Sequence, residues 1–206
     1  GPSNISGVTG TSAVTAASVN VGTYTLSETG GPAGYTAGTY SCVLNGGAAV
    51  VANSITLAAG DNATCTINND DQAATLTLVK TVTNDNGGSA VATAWTLEAA
   101  GPTNITGATG SAAVTNASVN PGSYTLSETG GPAGYTAGTY SCVINGGAAV
   151  VNNTVALAAG DNATCTINND DRAATLTLVK TVTNDNGGTA VATAWTLEAA
   201  GPTNIT

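Results

Sequence analysis

The sequence repeats itself with a period of 100 residues, and this period constrains the fold more than any other feature. Tyr24 and Tyr124, like Trp95 and Trp195, lie 100 positions apart, and the register holds without insertion along the whole chain. A fixed long period indicates an array of like modules. A module of about 100 residues is long enough to bury one hydrophobic core. We therefore expect tandem copies of one small domain.

The positions of the strand patterns predict where a module begins and ends. We predict its first strand at residues 75–82 and its last at 163–169, so one complete repeat, the central unit, spans residues 74–173. Residues 1–73, the head segment, are an incomplete repeat that lacks its first two strands. Residues 174–206, the tail segment, are the first two strands of the next repeat. The chain is expected to be a window on a longer array.

Short stretches of alternating apolar and polar residues run through the central unit, and no segment has a helical period. Turn residues such as Asn-Gly, Gly-Gly and Gly-Pro separate these stretches. The pattern predicts an all-β fold of tandem antiparallel β-sandwiches with about seven strands per 100-residue repeat. The expected strands are 75–82, 91–97, 113–119, 124–128, 135–144, 148–157 and 163–169, and residues 101–110 are expected to form a loop.

The charge composition excludes several classes of partner. Only 7% of residues are charged, the net charge is −9, and Lys80, Arg172 and Lys180 are the only basic residues. A chain this acidic is a poor ligand for nucleic acid or for an anionic membrane surface. The sequence also shows no apolar run long enough to span a membrane and no signal peptide, but an internal window of a longer chain would show neither. We expect no nucleic acid and no membrane insertion.

Each repeat carries two cysteines, Cys42 with Cys65 and Cys142 with Cys165. The chain has no histidine and no close Cys-x-x-Cys spacing, which argues against a zinc site. One disulfide in each repeat is the favoured interpretation, and it implies an oxidising compartment. The alternative is a pair of buried free thiols in each repeat.

Three polar residues fall on inward strand faces of the central unit: Lys80, Glu128 and Asn169. Asn168 is adjacent, but strand parity selects Asn169. Burial favours a neutral, nucleophilic amine and a protonated acid. In this arrangement the amine can attack an amide carbonyl and displace ammonia. Such a reaction is single-turnover self-formation of an isopeptide bond. The alternative is a buried ion pair whose remaining hydrogen bonds are satisfied by Asn169. The corresponding positions elsewhere are Glu28, Asn69 and Lys180.

The run Tyr-x-Leu-x-Glu at residues 124–128, followed by Pro132, Gly134 and Tyr135, resembles the signature of collagen-adhesin B-type repeats. These are prealbumin-like, SpaA-like pilin-related domains of bacterial surface proteins. Leu-x-Leu-x-Lys in the first strand, Trp-x-Leu in the second and the apolar-x-Asn at the end are similar to further marks of that family.

The resemblance implies a prealbumin-like sandwich in a protein that is extracellular, on the bacterial cell surface. In that family a Lys, a Glu and an Asn or Asp often form an intramolecular isopeptide bond. On the matching positions of this sequence, these residues would be Lys80, Glu128 and Asn169.

Two functions are compatible with these features. The first is a structural repeat module of a surface fibre, stalk or adhesin, in which the short linker 170–173 holds repeats in a rigid rod, head to tail. The second is an adhesive binding module that contacts a glycan or a host or matrix protein through the hairpin bearing Tyr140 or through threonine-rich faces. Near-identical repeats favour the first, because binding loops normally diversify. An enzyme acting on a separate substrate is the least favoured, since the chain has no histidine and no second inward carboxylate.

Two further motifs are weaker. Residues 168–171, Asn-Asn-Asp-Asp, could supply oxygen ligands to a calcium ion between repeats, although their spacing fits no defined calcium loop; no other cofactor is expected. Glycosylation acceptor motifs occur at Asn4, Asn62, Asn104, Asn116, Asn152, Asn162 and Asn204.

The incomplete ends of the chain lead to an expectation about its partner. An incomplete sandwich would expose half a core, so the tail segment of one copy is expected to pack into the head segment of the next. Contacts of Trp195 with the neighbouring copy's Tyr24 or Leu26 would then mirror those of Trp95 in the central unit. Covalent continuity and strand donation between separate chains would look alike locally. We favour a continuous fibre, because the tail segment supplies the missing strands and overlaps the head segment only by Gly-Pro-Thr-Asn-Ile-Thr.

Overall fold

The computed structural model describes residues 1–201, and almost all of its regular structure is β-strand. The head segment contains β1 (Gly22–Thr25), β2 (Tyr35–Ala37), β3 (Ser41–Leu44), β4 (Ala49–Val51), β5 (Ser54–Leu57), β6 (Ala63–Thr66) and β7 (Asn69–Asp71). The central unit contains β8 (Ala74–Thr83), β9 (Trp95–Ala100), β10 (Ile105–Gly107), β11 (Ala117–Val119), β12 (Gly122–Gly130), β13 (Tyr135–Ala137), β14 (Ser141–Ile144), β15 (Val150–Val151), β16 (Thr154–Leu157) and β17 (Asn162–Asp171). Single 3₁₀ turns span Ala92–Ala94 and Ala192–Ala194. Within residues 1–201, no helix is long and apolar enough to cross a membrane.

The central unit is a sandwich of two sheets. One sheet has the order β10-β9-β12-β16, and the other has the order β11-β8-β17-β14-β15, with β13 also paired to β17. Alternate residues of both sheets point between them, which is the expected geometry for sheets with one buried face. Leu76 and Leu78 of β8 and Leu97 of β9 are fully buried there, and Tyr124 of β12 completes the centre of the core.

The first and last strands of the central unit, β8 and β17, lie side by side and run parallel over nine residue pairs, from Asn162 beside Thr75 to Asp170 beside Thr83. The other strand pairs are antiparallel, as predicted. The sequence could not show this exception, because alternation reports which face is buried and does not report strand direction.

The observed strands differ substantially from the expectation in five places, because several edge strands pair over only two or three residues. The predicted strand 113–119 is reduced to β11, Ala117–Val119. The predicted strand 91–97 begins only at Trp95, after a 3₁₀ turn, and the predicted loop 101–110 contains β10. The predicted strand 135–144 divides into β13 and β14. The predicted strand 148–157 divides into β15 and β16, which belong to different sheets.

The head segment has nearly the same sequence as its counterpart in the central unit but forms much less sheet. Strand β12 covers nine residues, whereas its counterpart β1 covers four. Strand β17 covers ten residues, whereas its counterpart is divided into β6 and β7. The difference has a direct cause: β12 and β17 pair with β9 and β8, and the head segment lacks strands equivalent to these two.

The described part of the tail segment, residues 174–201, repeats the sequence of β8 and β9 but forms no strand. Leu178 is 37% exposed and Trp195 is 45% exposed, whereas their counterparts Leu78 and Trp95 are 0% and 4% exposed. These side chains therefore have a buried place in a complete repeat, and they lack it in the single chain. Packing of the tail segment against a second copy stays a prediction.

Candidate functional site

Three polar side chains meet inside the central unit: Lys80 of β8, Glu128 of β12 and Asn169 of β17. Lys80 Nζ lies 2.8 Å from Glu128 Oε2, and Asn169 Nδ2 donates a hydrogen bond to Glu128 Oε1 at 2.6 Å. One carboxylate thus bridges the amine and the amide. The side chain of Lys80 is fully buried, and Asn169 is buried as well.

The sandwich itself creates this arrangement. Strands β8 and β17 are neighbours in one sheet and β12 lies in the other, so Glu128 reaches across the core to both. The Lys80 ammonium also lies 5.0 Å from the centroid of the Trp95 ring, where a cation is attracted by the face of the indole. Asn168 points outward, and its Oδ1 accepts a hydrogen bond from Thr81.

The electrostatics favour a reactive amine at Lys80. Burial lowers the pKa of the Lys80 amine, and the hydrogen bond and charge of Glu128 oppose that shift without cancelling it. A lowered pKa increases the neutral, nucleophilic fraction of the amine at a given pH. Asn169 Oδ1 is also buried, and among the described residues it has no hydrogen-bond partner. An unpaired buried carbonyl destabilises the fold by about 1–3 kcal/mol.

The equivalent residues outside the central unit are not brought together in the single chain. Glu28 and Asn69 of the head segment and Lys180 of the tail segment are all exposed. Lys180 nevertheless lies over the ring of Trp195, 4.7 Å from its centroid, as Lys80 lies over Trp95. The contact between the lysine and the indole therefore does not depend on the rest of the site.

The four cysteines form two disulfides, Cys42–Cys65 and Cys142–Cys165. Each bond joins residues directly opposite one another on adjacent strands, β3 with β6 and β14 with β17. Both disulfides therefore cross-link strands within one sheet and leave the contact between β8 and β17 without a covalent link of this kind.

Replacing Cys142 and Cys165 together by alanine should lower the free energy of unfolding of the central unit by about 3 kcal/mol, the chain-entropy value for a loop of this size. The sheet should survive, because the alternating pattern specifies it independently. Denaturant unfolding and far-UV circular dichroism would measure both. The same double replacement at Cys42 and Cys65 is the control, and an equal effect of both pairs on the central unit would contradict this expectation.

Asp171, at the end of β17, anchors the loop that follows β8. Gly88 N donates to Asp171 Oδ2 at 2.5 Å, and Asn86 N donates to both carboxylate oxygens, at 3.0 and 3.1 Å. Burial raises the pKa of Asp171, but the backbone N–H donors outweigh burial and the pKa is lowered overall. Asp85 and Asp170 have carboxylate oxygens within 4.8 Å of this one. Within residues 168–171, Asn169 therefore lies in the core, Asn168 and Asp170 are exposed to solvent, and Asp171 binds this loop.

The lowered pKa of Asp171 predicts that the loop loosens in acid. A carboxylate with a depressed folded pKa stabilises the fold above its unfolded pKa of about 3.9, and that stabilisation is lost as the pH falls through the folded pKa. The amide resonances of Gly88 and Asn86 should therefore move together below about pH 4. An NMR titration measures this, and the Asp171→Asn variant should remove the transition. A transition that persists in the variant would assign it to another group.

Sequence reasoning missed the role of Asp171 in holding this loop and the roles of two tyrosines. Tyr135 packs edge-on against Trp95 with ring centroids 5.4 Å apart, and its hydroxyl accepts a hydrogen bond from Ala90 N. Tyr140 is buried, and its hydroxyl donates to Ser127 O at 2.8 Å. Burial, with a smaller contribution from the Glu128 charge, raises the pKa of Tyr140. Tyr140 is therefore a core residue. Contact of the hairpin that bears it with a ligand stays a prediction.

The glycosylation motifs lie on the surface. The asparagines at positions 4, 62, 104, 116, 152 and 162 are all exposed. Asn204 lies outside the described residues.

Fold and buried site together define a class, an all-β prealbumin-like sandwich domain. The family described as the prealbumin-like fold domain matches residues 1–67, 71–167 and 171–206, and the chain belongs to this family.

Comparison with curated proteins finds no match. Among solved structures, the major pilin protein T3.2 of Streptococcus pyogenes is similar over 74% of this chain and 68% of that chain, with 14% sequence identity and a TM-score of 0.37. A likeness this low carries no argument about this chain.

Proposed function

We propose that this chain is a structural segment of an extracellular bacterial surface fibre, in which successive copies complete one another head to tail. One observation carries this proposal: positions that are buried in the central unit are exposed in the head and tail segments. The tail segment holds the strands that the head segment lacks. A two-strand piece alone is marginally stable in water, so joining the two segments removes apolar surface from both.

If the tail segment of one copy packs into the head segment of the next, each exposed side chain would meet the same partner as the equivalent side chain of the central unit. Leu178 would enter the core as Leu78 does, and Trp195 would meet the Gly30–Gly31 turn as Trp95 meets Gly131. At Gly131 the backbone lies so close to the Trp95 ring that a Cβ atom would overlap it, whereas at Gly31 no atom of residues 1–201 lies within 4 Å of such a Cβ. The head segment therefore keeps open the space that an indole fills in the central unit.

The buried triad supports formation of an isopeptide bond within the central unit. The neutral Lys80 amine attacks Asn169 Cγ, a new N–C bond forms, and the Cγ–Nδ2 bond breaks with release of ammonia. Glu128 contacts both nitrogen atoms, so it can take a proton from Lys80 Nζ and return one to the leaving Nδ2. The reaction needs no co-reactant, because the proton that Lys80 Nζ loses leaves with the ammonia. The same chemistry between copies would join Lys180 of one chain to Asn69 of the next, beside Glu28.

A bond between Lys80 and Asn169 suits a fibre because of where these residues lie. Tension along the array enters the central unit at β8 and leaves at β17, and these two strands are adjacent and parallel. The bond would connect them directly, whereas the disulfide of this unit connects β17 to β14. The linkage would therefore carry load that neither disulfide carries.

The experiment that tests the proposed function is filament formation by the purified chain. Sedimentation velocity over a range of concentrations should show open-ended association, and negative-stain electron microscopy should show unbranched filaments one domain wide. A chain that remains monomeric at the highest soluble concentration would contradict head-to-tail completion.

A further inference from the structure

The head segment meets the central unit at a junction between repeats, and this junction shows which surfaces are in contact. Gly160 N of the central unit donates to Gln72 O at 2.9 Å, and Gln72 N donates to Gly34 O at 2.7 Å. We call Gly34 with Gln72 the docking surface, and the turn 158–161, between β16 and β17, the docking loop.

The two sides approach so closely that the docking surface requires glycine. Gly34 has φ +82°, and a Cβ atom built on it would overlap the backbone carbonyl of Ala159. On the other side, a Cβ on Gly160 would lie 3.1 Å from Gly34 Cα. This contact therefore fixes how the central unit sits on the repeat before it.

A second docking surface exists at the other end of the central unit, and it is free. Arg172 N donates to Gly134 O at 2.8 Å, matching the bond between Gln72 and Gly34. Gly134 has φ +93°, and a Cβ built on it meets no atom of residues 1–201 within 4 Å. The two docking surfaces differ in one residue, since Arg172 stands in the second where Gln72 stands in the first.

A second docking loop exists in the head segment, at residues 58–61, and it is free as well. Asp61 Oδ2 accepts a hydrogen bond from Ala58 N at 2.7 Å, and the docking loop of the central unit has the same bond at the same length. A Cβ built on Gly60 meets no atom of residues 1–201 within 4 Å. Ala59 is exposed, whereas Ala159 is partly covered.

We propose that the surface formed by Gly134 and Arg172 binds the 58–61 loop of a second copy of this chain. The internal junction shows the geometry of the contact, and the two free surfaces are the counterparts of the two that meet there. A contact between different surfaces that does not close on itself generates an open filament. The contact fixes the angle between copies, and it presupposes the head-to-tail completion proposed above.

The Ala59→Arg variant of the whole chain tests this contact, with Val51→Arg as the matched control. A long side chain at Ala59 obstructs the docking loop and leaves the strands that complete the sandwich untouched. Val51 is 67% exposed, and its counterpart Val151 is 68% exposed in the complete repeat, so completion does not bury this position. Both variants add the same charge.

The persistence length of the filaments, measured by negative-stain electron microscopy, is the readout. Ala59→Arg should shorten it several-fold relative to Val51→Arg, or prevent filaments altogether, because every junction between copies loses its docking contact. Ala59→Arg filaments as straight as the control would overturn the docking site and leave head-to-tail completion standing. An unmodified chain that forms no filaments would overturn both.

Discussion

The Leu178→Asp variant should remain monomeric at concentrations at which the unmodified chain forms filaments. In a completed repeat Leu178 would occupy the position of Leu78, which is fully buried. Losing the burial of a leucine costs about 1.5–3 kcal/mol, and burying an unpaired carboxylate adds to this, so association should weaken by roughly 100-fold or more. Sedimentation velocity measures the change directly.

The control for this variant is Val191→Asp, which introduces the same charge into the same segment. Val191 is 62% exposed and its counterpart Val91 is 64% exposed in the complete repeat. Completion of the sandwich does not bury this side chain, so Val191→Asp should assemble almost normally. If both variants assemble equally well, the tail segment does not enter the core of a neighbour.

The Glu128→Gln variant should retain the ammonia that isopeptide formation would release from the unmodified chain, and it should be markedly less stable. Glutamine cannot carry a proton from Lys80 to the leaving nitrogen of Asn169, so the isopeptide bond should not form. Lys80 would also stay buried without its carboxylate, and breaking a buried pair by removing one partner costs about 3–5 kcal/mol. Intact mass under denaturing, non-reducing conditions and denaturant unfolding measure the two effects.

The intact mass distinguishes isopeptide formation from a simple ion pair between Lys80 and Glu128. If Lys80 and Glu128 form only an ion pair, Glu128→Gln should destabilise the central unit without changing the number of ammonia molecules lost. Glu28→Gln is the matched variant in the head segment. It should preserve the bond inside the central unit and abolish covalent multimers made through Lys180 and Asn69. An unmodified chain that has lost no ammonia would contradict isopeptide formation.

Strand parity predicted much of the buried site, because it depends only on alternation. It placed Lys80, Glu128 and Asn169 on inward faces, and the structure brings the three side chains together. Parity would also have identified Asp171, which shares a face with Asn169, had the last strand been extended by two residues. The sequence feature that pointed to this role of Asp171 was the Asn-Asp-Asn-Gly-Gly turn at 84–88. This loop has several backbone N–H groups that are not paired with a neighbouring strand.

Other features depend on contacts that alternation does not report. The parallel pairing of β8 with β17 is decided by how the chain crosses between the two sheets, and the approach of Gly34 to Ala159 is decided by packing between repeats. The head segment also shows that strand length depends on contacts that alternation does not report. Its sequence nearly equals that of the central unit, yet β1 covers four residues where β12 covers nine, because its partner strand is not part of the same repeat in this chain.

Hydrogen–deuterium exchange of the tail segment at increasing concentration tests the central claim most directly. If copies complete one another, the backbone amides of residues 175–183 and 195–200 should become protected as filaments form. Their protection should approach that of β8 and β9 in the same molecule, which serve as the internal reference. If these amides exchange rapidly at every concentration while β8 and β9 stay protected, head-to-tail completion is wrong.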